Sequence, residues 1–244
     1  MTLANNNTIG IIGGMGPDAS ARLYQQMIDM ARTEFNAREN YEYPEILLHS
    51  IPVPDFISDT SQAETAMFML KSRVRRLSQL PMSCIGIACN TAHTTLTDLE
   101  KISNTPFISI PKEVAKEAIR KKYHRLGLMA TPTTIHSGVY QSILIKEGIE
   151  VVTPDYQEVE LLGRVVGQIV NGEFKAPKKQ LLIIADKLKK QKLDALVLGC
   201  TEIPLVFPKN YSLSVLDSVE ILARALLKRY YERRSSVAKA LEGK

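Results

Sequence analysis

The sequence carries the same order of motifs twice. Residues 8–24 resemble residues 125–140, and Cys89 and Cys200, which each follow a short apolar run, are 111 residues apart. A third match, of two apolar runs that each lead into a helical pattern, comprises residues 107–111 and 213–217. A period of this length is far too long for a solenoid repeat. The duplication therefore predicts two similar lobes, with equivalent strand ends facing each other across a cleft.

Within each half, short apolar runs alternate with segments of helical period. Eight runs are predicted to be strands: Thr8–Ile12, Glu45–Ser50, Ser83–Ala88, Phe107–Ile110, Leu126–Ala130, Val151–Thr153, Ala195–Leu198 and Leu213–Val215. This alternation, with continuously apolar strands, is typical of parallel sheets covered on both faces. The sequence therefore predicts an α/β fold of two pseudo-symmetric lobes, each a four-stranded parallel sheet flanked by helices. We expect an N-terminal lobe of residues 1–111 with 217–244 and a C-terminal lobe of residues 112–216.

Composition limits the class of protein. Apolar residues make up 45% and charged residues 23% of the 244 residues, which is typical of a globular chain. No apolar run approaches the ~18 residues of a membrane span, and the polar residues 1–7 do not resemble a signal peptide. The three cysteines have no close spacing that predicts a disulfide framework or a metal site. We therefore expect a soluble, cytoplasmic protein with reduced thiols and no metal.

The excess of positive charge does not predict nucleic-acid binding. The net charge is +5, but the basic residues lie in helical stretches interleaved with glutamate and apolar residues. No aromatic stacking motif accompanies them. We therefore expect solvated helix faces, and neither a nucleic-acid nor a membrane partner.

Cys89 and Cys200 are the strongest candidates for chemistry. Each follows an apolar strand and precedes small polar residues that favour a helix N-cap. The positive end of a helix lowers the pKa of a thiol, so each helix end is predicted to favour the thiolate form of its cysteine. Ligands of open parallel sheets bind beyond the carboxyl ends of strands, where both cysteines are expected. Cys84 lies early in its strand without a counterpart and is predicted to be a core residue.

Two loops at duplicated positions are candidates for anion binding. The first, residues 13–18 with the sequence Gly-Gly-Met-Gly-Pro-Asp, can present backbone amides to an anion. Its glycine spacing differs from the G-x-G-x-x-G of a dinucleotide site. Its counterpart, residues 131–134, offers threonine hydroxyls instead. Facing each other, the two loops predict a clamp for a carboxylate.

Three runs resemble one enzyme family: G-I-I-G-G-M-G-P at 10–17, A-C-N-T-A-H at 88–93 and G-C-T-E-I-P at 199–204. The chain is similar to the aspartate/glutamate racemase family, and within it to the aspartate racemase branch, from Thr8 to about Tyr230. The resemblance implies a cofactor-independent racemase of a small amino acid, either aspartate alone or both aspartate and glutamate. It also implies a homodimer with the active site in the cleft between the lobes.

The same resemblance implies roles for individual residues. Cys89 and Cys200 would be the catalytic acid and base, one on each face of the substrate α-carbon, and would exchange the thiolate and thiol roles. The residues implied to bind the substrate are Met15, Gly16, Asn90, Thr91, Thr131, Thr134 and Thr201.

One position departs from the family pattern. Aspartate racemases typically carry an arginine, in a P-D-R-T loop, that holds the side-chain carboxylate of the substrate, and Phe56 stands at that position here. Arg164, in the helical segment 158–171, is a candidate replacement, although an ordinary exposed arginine is the simpler interpretation. His49 is interpreted as a hydrogen-bonded structural residue, and His93 as a residue that orients the loop after Cys89.

Two alternative functions stay open. The first is a related cysteine chemistry on the same scaffold, either decarboxylation or cis–trans isomerisation of a small dicarboxylate. Those reactions generally alter one of the two cysteine positions, whereas both are cysteine here. The second is a non-catalytic amino-acid-binding protein, which the presence of both thiols disfavours. A pyridoxal phosphate enzyme would need a Schiff-base lysine, and no lysine lies at a strand end near these motifs, so we expect no cofactor.

Overall fold

The computed structural model describes residues 8–54 and 60–242, in which eight strands form two sheets of four parallel strands. The first sheet comprises β1 (Thr8–Gly13), β2 (Ile46–Ser50), β3 (Met82–Ile87) and β4 (Phe107–Ile108). The second comprises β5 (Arg125–Met129), β6 (Glu150–Val152), β7 (Ala195–Leu198) and β8 (Ser214–Asp217). The strand orders, β2-β1-β3-β4 and β6-β5-β7-β8, are equivalent. This equivalence confirms the two-lobed parallel α/β fold predicted from the duplication.

Ten α-helices cover the sheets in the described part of the chain. They are α1 (Pro17–Thr33), α2 (Ala63–Leu77), α3 (Leu96–Glu100), α4 (Ile110–Arg120), α5 (Pro132–His136), α6 (Val139–Lys146), α7 (Tyr156–Val170), α8 (Lys175–Lys189), α9 (Ile203–Val206) and α10 (Ser218–Glu242). Three short 3-10 helices lie at Asn40–Glu42, Thr60–Gln62 and Thr91–Thr95. None of the described helices is long and apolar enough to cross a membrane.

The central strand β1 is buried on both of its faces. Ile9 and Ile11 belong to a core that contains side chains of α1 and α10. Ile12 belongs to a second core, which contains side chains of α2. Because successive side chains of a strand point to opposite faces, a strand covered on both sides needs apolar residues at every position. This requirement explains the unbroken apolar run that predicted β1.

The last helix, α10, packs against α1 and β3 of the first sheet. A Cβ atom at Gly86 of β3 would lie 2.9 Å from Cδ1 of Leu226, so any larger residue there would require the leucine side chain to shift. The core beneath α10 also contains side chains of β5, and the two lobes therefore share apolar packing. The boundaries of the lobes, 1–111 with 217–244 and 112–216, stay a prediction.

The structure differs from the predicted strands mainly at their ends. The run predicted over Phe107–Ile110 is a strand only to Ile108, and Ile110 begins α4. Pro111 lies in the first turn of that helix, where its fixed φ angle suits the helical backbone and its missing N–H has no partner to lose. The strand predicted over Leu213–Val215 begins one residue later and extends to Asp217.

Candidate active site

The two candidate cysteines lie just beyond equivalent strands of the two sheets. Cys89 follows β3 by two residues and is 2% exposed, and Cys200 follows β7 by two residues and is 4% exposed. A negative charge on Cys89 raises the pKa of Cys200, which means that each thiol lies within the electrostatic reach of the other. Cys84 lies inside β3 and is fully buried in the core, as predicted.

The ionisation state of the thiols differs from the prediction. Burial, and after it the carboxylate of Glu202, raise the pKa of Cys89 to about 12. The backbone N–H groups of Ala92 and Thr91 act in the opposite direction, as expected at a helix N-terminus, but their effect is smaller. Burial and the charge of Glu202 likewise raise the pKa of Cys200 well above its ordinary value. The pKa values of both thiols are therefore shifted upward, opposite to the lowering that was predicted from the helix ends.

Glu202 is the residue of the site that the sequence analysis missed. Its Oε1 accepts a hydrogen bond from Gly16 N at 2.9 Å, and its Oε2 accepts one from Cys200 Sγ at 3.0 Å and one from Thr201 Oγ1 at 2.9 Å. The carboxylate is buried and links the second cysteine to the loop after β1, in the other lobe. The signal was present, because the glutamate belongs to the G-C-T-E-I-P motif, but it was interpreted only as part of a helix cap.

Three threonine hydroxyls meet between the lobes. Thr91 Oγ1 lies 3.1 Å from both Thr131 Oγ1 and Thr134 Oγ1, and those two atoms are 2.9 Å apart. All three residues are buried. The structure thus brings together three of the residues predicted to bind the substrate. Thr131 Oγ1 also accepts a hydrogen bond from Thr134 N at 3.3 Å. Because a hydroxyl both donates and accepts, this ring of hydroxyls can turn to donate to a carboxylate that enters between them.

Asn90 joins three elements through its side-chain amide. Its Oδ1 accepts a hydrogen bond from Tyr140 Oη of α6 at 2.5 Å, and its Nδ2 donates one to Ser218 Oγ, at the start of α10, at 3.0 Å. The side chains of all three residues are buried. Tyr140 belongs to the duplicated segment 125–140, which predicted no role for it, and nothing in the sequence pattern marked Ser218.

The loop after β1 is held by hydrogen bonds of its own. Ser20 Oγ accepts from Gly14 N at 2.9 Å and donates to Gly16 O at 3.0 Å. Gly14 has a φ of +95°, and a Cβ there would collide with the backbone of Ile51. Met15 is buried in the same core as Cys89. The N–H groups of Gly14 and Gly16 therefore have partners within the protein, and the carboxylate clamp expected from the two loops stays a prediction.

His93 is buried behind the first cysteine. Its Nδ1 lies 2.8 Å from Cys89 O, and its Nε2 accepts a hydrogen bond from Ile110 N at 3.1 Å. Because Nε2 is the acceptor, the proton of the neutral ring is on Nδ1 and is donated to Cys89 O. Burial lowers the pKa of His93 to about 4. These contacts are those expected of a residue that orients the loop after β3.

The remaining candidates do not converge on the thiols in the described residues. Arg164 is exposed on α7, and no hydrogen bond or ion pair joins it to a described residue. His49 is half-buried, with its pKa lowered by burial and by Arg73 and Arg76, and its ring forms no hydrogen bond with the described part of the chain, contrary to expectation. Phe56 lies outside the described residues. Across residues 8–54 and 60–242, no group of three or more histidine, cysteine or carboxylate side chains is arranged to hold a metal ion.

Comparison with known proteins decides the family. Residues 12–226 match the family described as Asp/Glu/Hydantoin racemase. The chain belongs to the Asp/Glu/hydantoin racemase family. It is therefore an amino-acid racemase, an isomerase, which confirms the resemblance drawn from the three motifs.

Individual relatives of this racemase match it over nearly its whole length. A broad specificity amino-acid racemase, RacX of Bacillus subtilis, is 23% identical over 223 residues, which cover 91% of this chain and 97% of the relative. The structure of Picrophilus torridus aspartate racemase superposes with a TM-score of 0.81 at 26% identity, covering 93% of this chain and 98% of that one. An aspartate racemase homologue from Pyrococcus horikoshii gives a TM-score of 0.75 at 30% identity, with coverages of 92% and 99%.

Proposed function

We propose that this racemase inverts aspartate without a cofactor, with Cys89 and Cys200 as the two acid/base groups. The observation that carries the proposal is the pair of buried thiols beyond equivalent strands of the two sheets, each within the electrostatic reach of the other. Inversion needs a proton to leave one face of the α-carbon and a proton to arrive on the other. Two thiols contributed by duplicated lobes supply both steps.

The proton transfers balance over one turnover. The thiolate of Cys89 takes the α-proton and becomes a thiol, while the electron pair of the C–H bond remains on the substrate and spreads into its carboxylate. The thiol of Cys200 then gives its proton to the opposite face and becomes a thiolate. After product release Cys89 loses a proton to water and Cys200 takes one up, which restores the starting state. In the reverse direction the two cysteines exchange these roles.

Glu202 makes the two thiols unequal before the reaction starts. Cys200 Sγ donates its proton to the Glu202 carboxylate, so Cys200 is held as a thiol that faces a negative charge. Cys89 instead receives N–H groups of Thr91 and Ala92, which favour a thiolate. We therefore propose that Cys89 forms a thiolate more readily than Cys200, while the enantiomer that binds determines which cysteine abstracts the α-proton.

An amino-acid substrate brings a positive charge to the buried thiols. The pKa of Cys89 is raised mainly by burial, and an opposite charge close to a buried group favours its ionised form. The α-ammonium group of an amino acid brings such a charge. The hydroxyls of Thr91, Thr131 and Thr134 would bind the α-carboxylate and stabilise the negative charge that develops on it. We propose supporting roles at the cleft for Met15, Gly16, Asn90 and Thr201.

Aspartate is the proposed substrate because aspartate racemases are among the structural relatives. The similarity to the broad specificity amino-acid racemase of B. subtilis favours a second candidate, a racemase that accepts several amino acids. In the described residues no arginine or lysine contacts the cysteines or the three threonines, which supports a weaker selection for acidic side chains. We also propose a homodimer, as in the family pattern, that works in the reducing cytoplasm, since all three cysteines are free thiols.

Deuterium incorporation at the α-carbon tests the function and the mechanism together. The wild-type protein, without added cofactor, is incubated in D₂O with each enantiomer of aspartate, glutamate and neutral amino acids, and the products are separated by chiral chromatography. Cys89→Ala and Cys200→Ala should each abolish inversion, and Cys84→Ala is the matched control that should turn over like the wild type. Full inversion by either single variant, or equal damage from Cys84→Ala, contradicts the two-thiol mechanism.

A further inference from the structure

We propose that Tyr140 is a positioning residue, whose hydroxyl fixes the Asn90 amide so that the remaining N–H of that amide faces the substrate carboxylate. The inference rests on the proposed function, because it assumes that an amino acid binds beside Cys89. It concerns a residue of α6 that lies outside the sequence motifs of the site. The juxtaposition that carries it is a tyrosine of one lobe bonded to the residue next to the cysteine of the other lobe.

Both hydrogen bonds of the Asn90 amide agree with one orientation. The bond between Tyr140 Oη and Asn90 Oδ1 is 2.5 Å, which suits an O–H donor and an oxygen acceptor. The bond from Asn90 Nδ2 to Ser218 Oγ is 3.0 Å, which suits an N–H donor. An amide oxygen cannot donate, so the phenol must be the donor.

Tyr140 determines the orientation because its hydrogen has no second acceptor among the described residues. A 180° flip of the amide would leave that buried hydroxyl hydrogen without a partner, which is costly. Ser218 tolerates either orientation, since a serine hydroxyl both donates and accepts. The phenol also stays protonated, because burial and the charges of Cys200 and Asp217 raise the pKa of Tyr140 well above its ordinary value.

The orientation matters for a negatively charged ligand. With Oδ1 and one N–H engaged, Asn90 has one N–H donor left, and no described residue accepts it. A flipped amide would turn its oxygen toward the ligand in place of that N–H, and an oxygen acceptor repels a carboxylate. Tyr140 of one lobe therefore determines that Asn90 of the other lobe presents an N–H donor, and not an oxygen acceptor, beside Cys89.

The duplication supplies a matched control. Tyr24 occupies the equivalent place in the first repeat, but it is 44% exposed, whereas Tyr140 is fully buried. Tyr24→Phe and Tyr140→Phe each remove one oxygen atom from a tyrosine of the same repeat motif. A difference between the two variants therefore reports on the contact with Asn90.

The experiment is a double-mutant cycle on racemisation of the amino acid that the wild type inverts best. Tyr140→Phe should lower kcat/KM roughly tenfold or more, chiefly through a higher KM, because a misoriented amide weakens carboxylate binding. Tyr24→Phe should stay within about twofold of the wild type. In an Asn90→Ala background, Tyr140→Phe should cause almost no further loss, because the group that it positions is gone.

Two results would overturn the proposal: an unchanged kcat/KM for Tyr140→Phe, or the same loss with and without Asn90. If Tyr140→Phe does not fold, Asn90→Asp keeps the acceptor for Tyr140 but removes the last N–H donor, and it should raise KM at least as strongly. An Asn90→Asp variant with the wild-type KM would show that the N–H is not needed.

A wild-type protein that inverts no amino acid would refute the proposed function without deciding the role of Tyr140. The amide orientation is then followed by NMR of the Asn90 side-chain NH₂ group in the full-length protein. Its hydrogens should exchange slowly in the wild type and in Tyr24→Phe, and distinctly faster in Tyr140→Phe. Equal exchange rates in all three proteins would overturn the positioning role as well.

Discussion

His93 makes the stability of this racemase depend on pH in a way that the structure quantifies. The unfolded chain protonates this histidine near its ordinary pKa of 6.5, whereas in the folded state burial lowers the pKa of His93 to about 4. Between these two values the unfolded state binds more protons than the folded state. The stabilising contribution is therefore complete above pH 6.5 and is lost as the pH falls toward 4.

The size of this effect follows from the two pKa values. A difference of one pKa unit corresponds to about 1.4 kcal/mol. The shift of His93 therefore stabilises the folded state by roughly 3 kcal/mol, and this contribution is lost completely below about pH 4. Between about pH 7.5 and about pH 5.0 the loss from His93 alone is about 2 kcal/mol. Because His93 is only 4% exposed, solvent screens little of this energy.

Urea unfolding at these two pH values measures the effect. The free energy of unfolding of the wild type should fall by about 2 kcal/mol more than that of His93→Asn, which cannot titrate in this range. His93→Asn is also expected to be less stable at the higher pH, by about 1–3 kcal/mol, because it leaves Ile110 N without its buried acceptor. Equal pH dependence in the two proteins would refute the buried neutral imidazole, as would an NMR titration of His93 with a pKa near 6.5.

Glu202, Gly14 and Thr134 offer three further tests of the site. Glu202→Gln removes a charge that raises the pKa of Cys200. Alkylation of Cys200 near pH 8, followed by mass spectrometry, should therefore be faster than in the wild type. Racemisation should fall tenfold or more. Gly14→Ala should destabilise the protein by more than about 1–3 kcal/mol in urea unfolding, because its φ is positive and the new Cβ meets Ile51, and a fully stable variant would contradict that geometry. Thr134→Val keeps the shape but removes one hydroxyl, and it should raise the KM for the amino acid about tenfold, whereas an unchanged KM would exclude the hydroxyl ring from carboxylate binding.

The sheets were predictable from sequence because their physical requirements are local. A strand of a covered parallel sheet must be apolar at every position, and β1 and β3 are buried along their whole length. The repeated order of motifs then predicted the equivalent strand orders of the two sheets. The ends of the short strands were less certain, because a helix start such as Ile110 depends on the first helical turn rather than on the apolar pattern.

The electrostatics of the site were not predictable, because they arise from contacts between the lobes. The Glu202 carboxylate bonds to Gly16 N, which is 186 residues away in the sequence. The pKa of Cys89 is raised first by burial and then by Glu202 of the other lobe, and the local helix end has a smaller, opposite effect. The helix cap, which is a local sequence signal, therefore predicted the small lowering of the thiol pKa and missed the larger rise that burial causes.

The two repeats diverge immediately after their cysteines, and that divergence determines how the two thiols differ. Cys89 is followed by Asn90 and receives N–H donors, whereas Cys200 shares a hydrogen bond with a carboxylate two residues later. In the proposed mechanism the two directions of inversion therefore begin from chemically different bases. Because enantiomers have equal free energy, their equilibrium constant is 1, and any ratio of kcat between the directions must be matched by the same ratio of KM. The asymmetry around Glu202 is thus expected to appear as unequal kcat and unequal KM with equal kcat/KM, and Glu202→Gln should bring the two directions closer together.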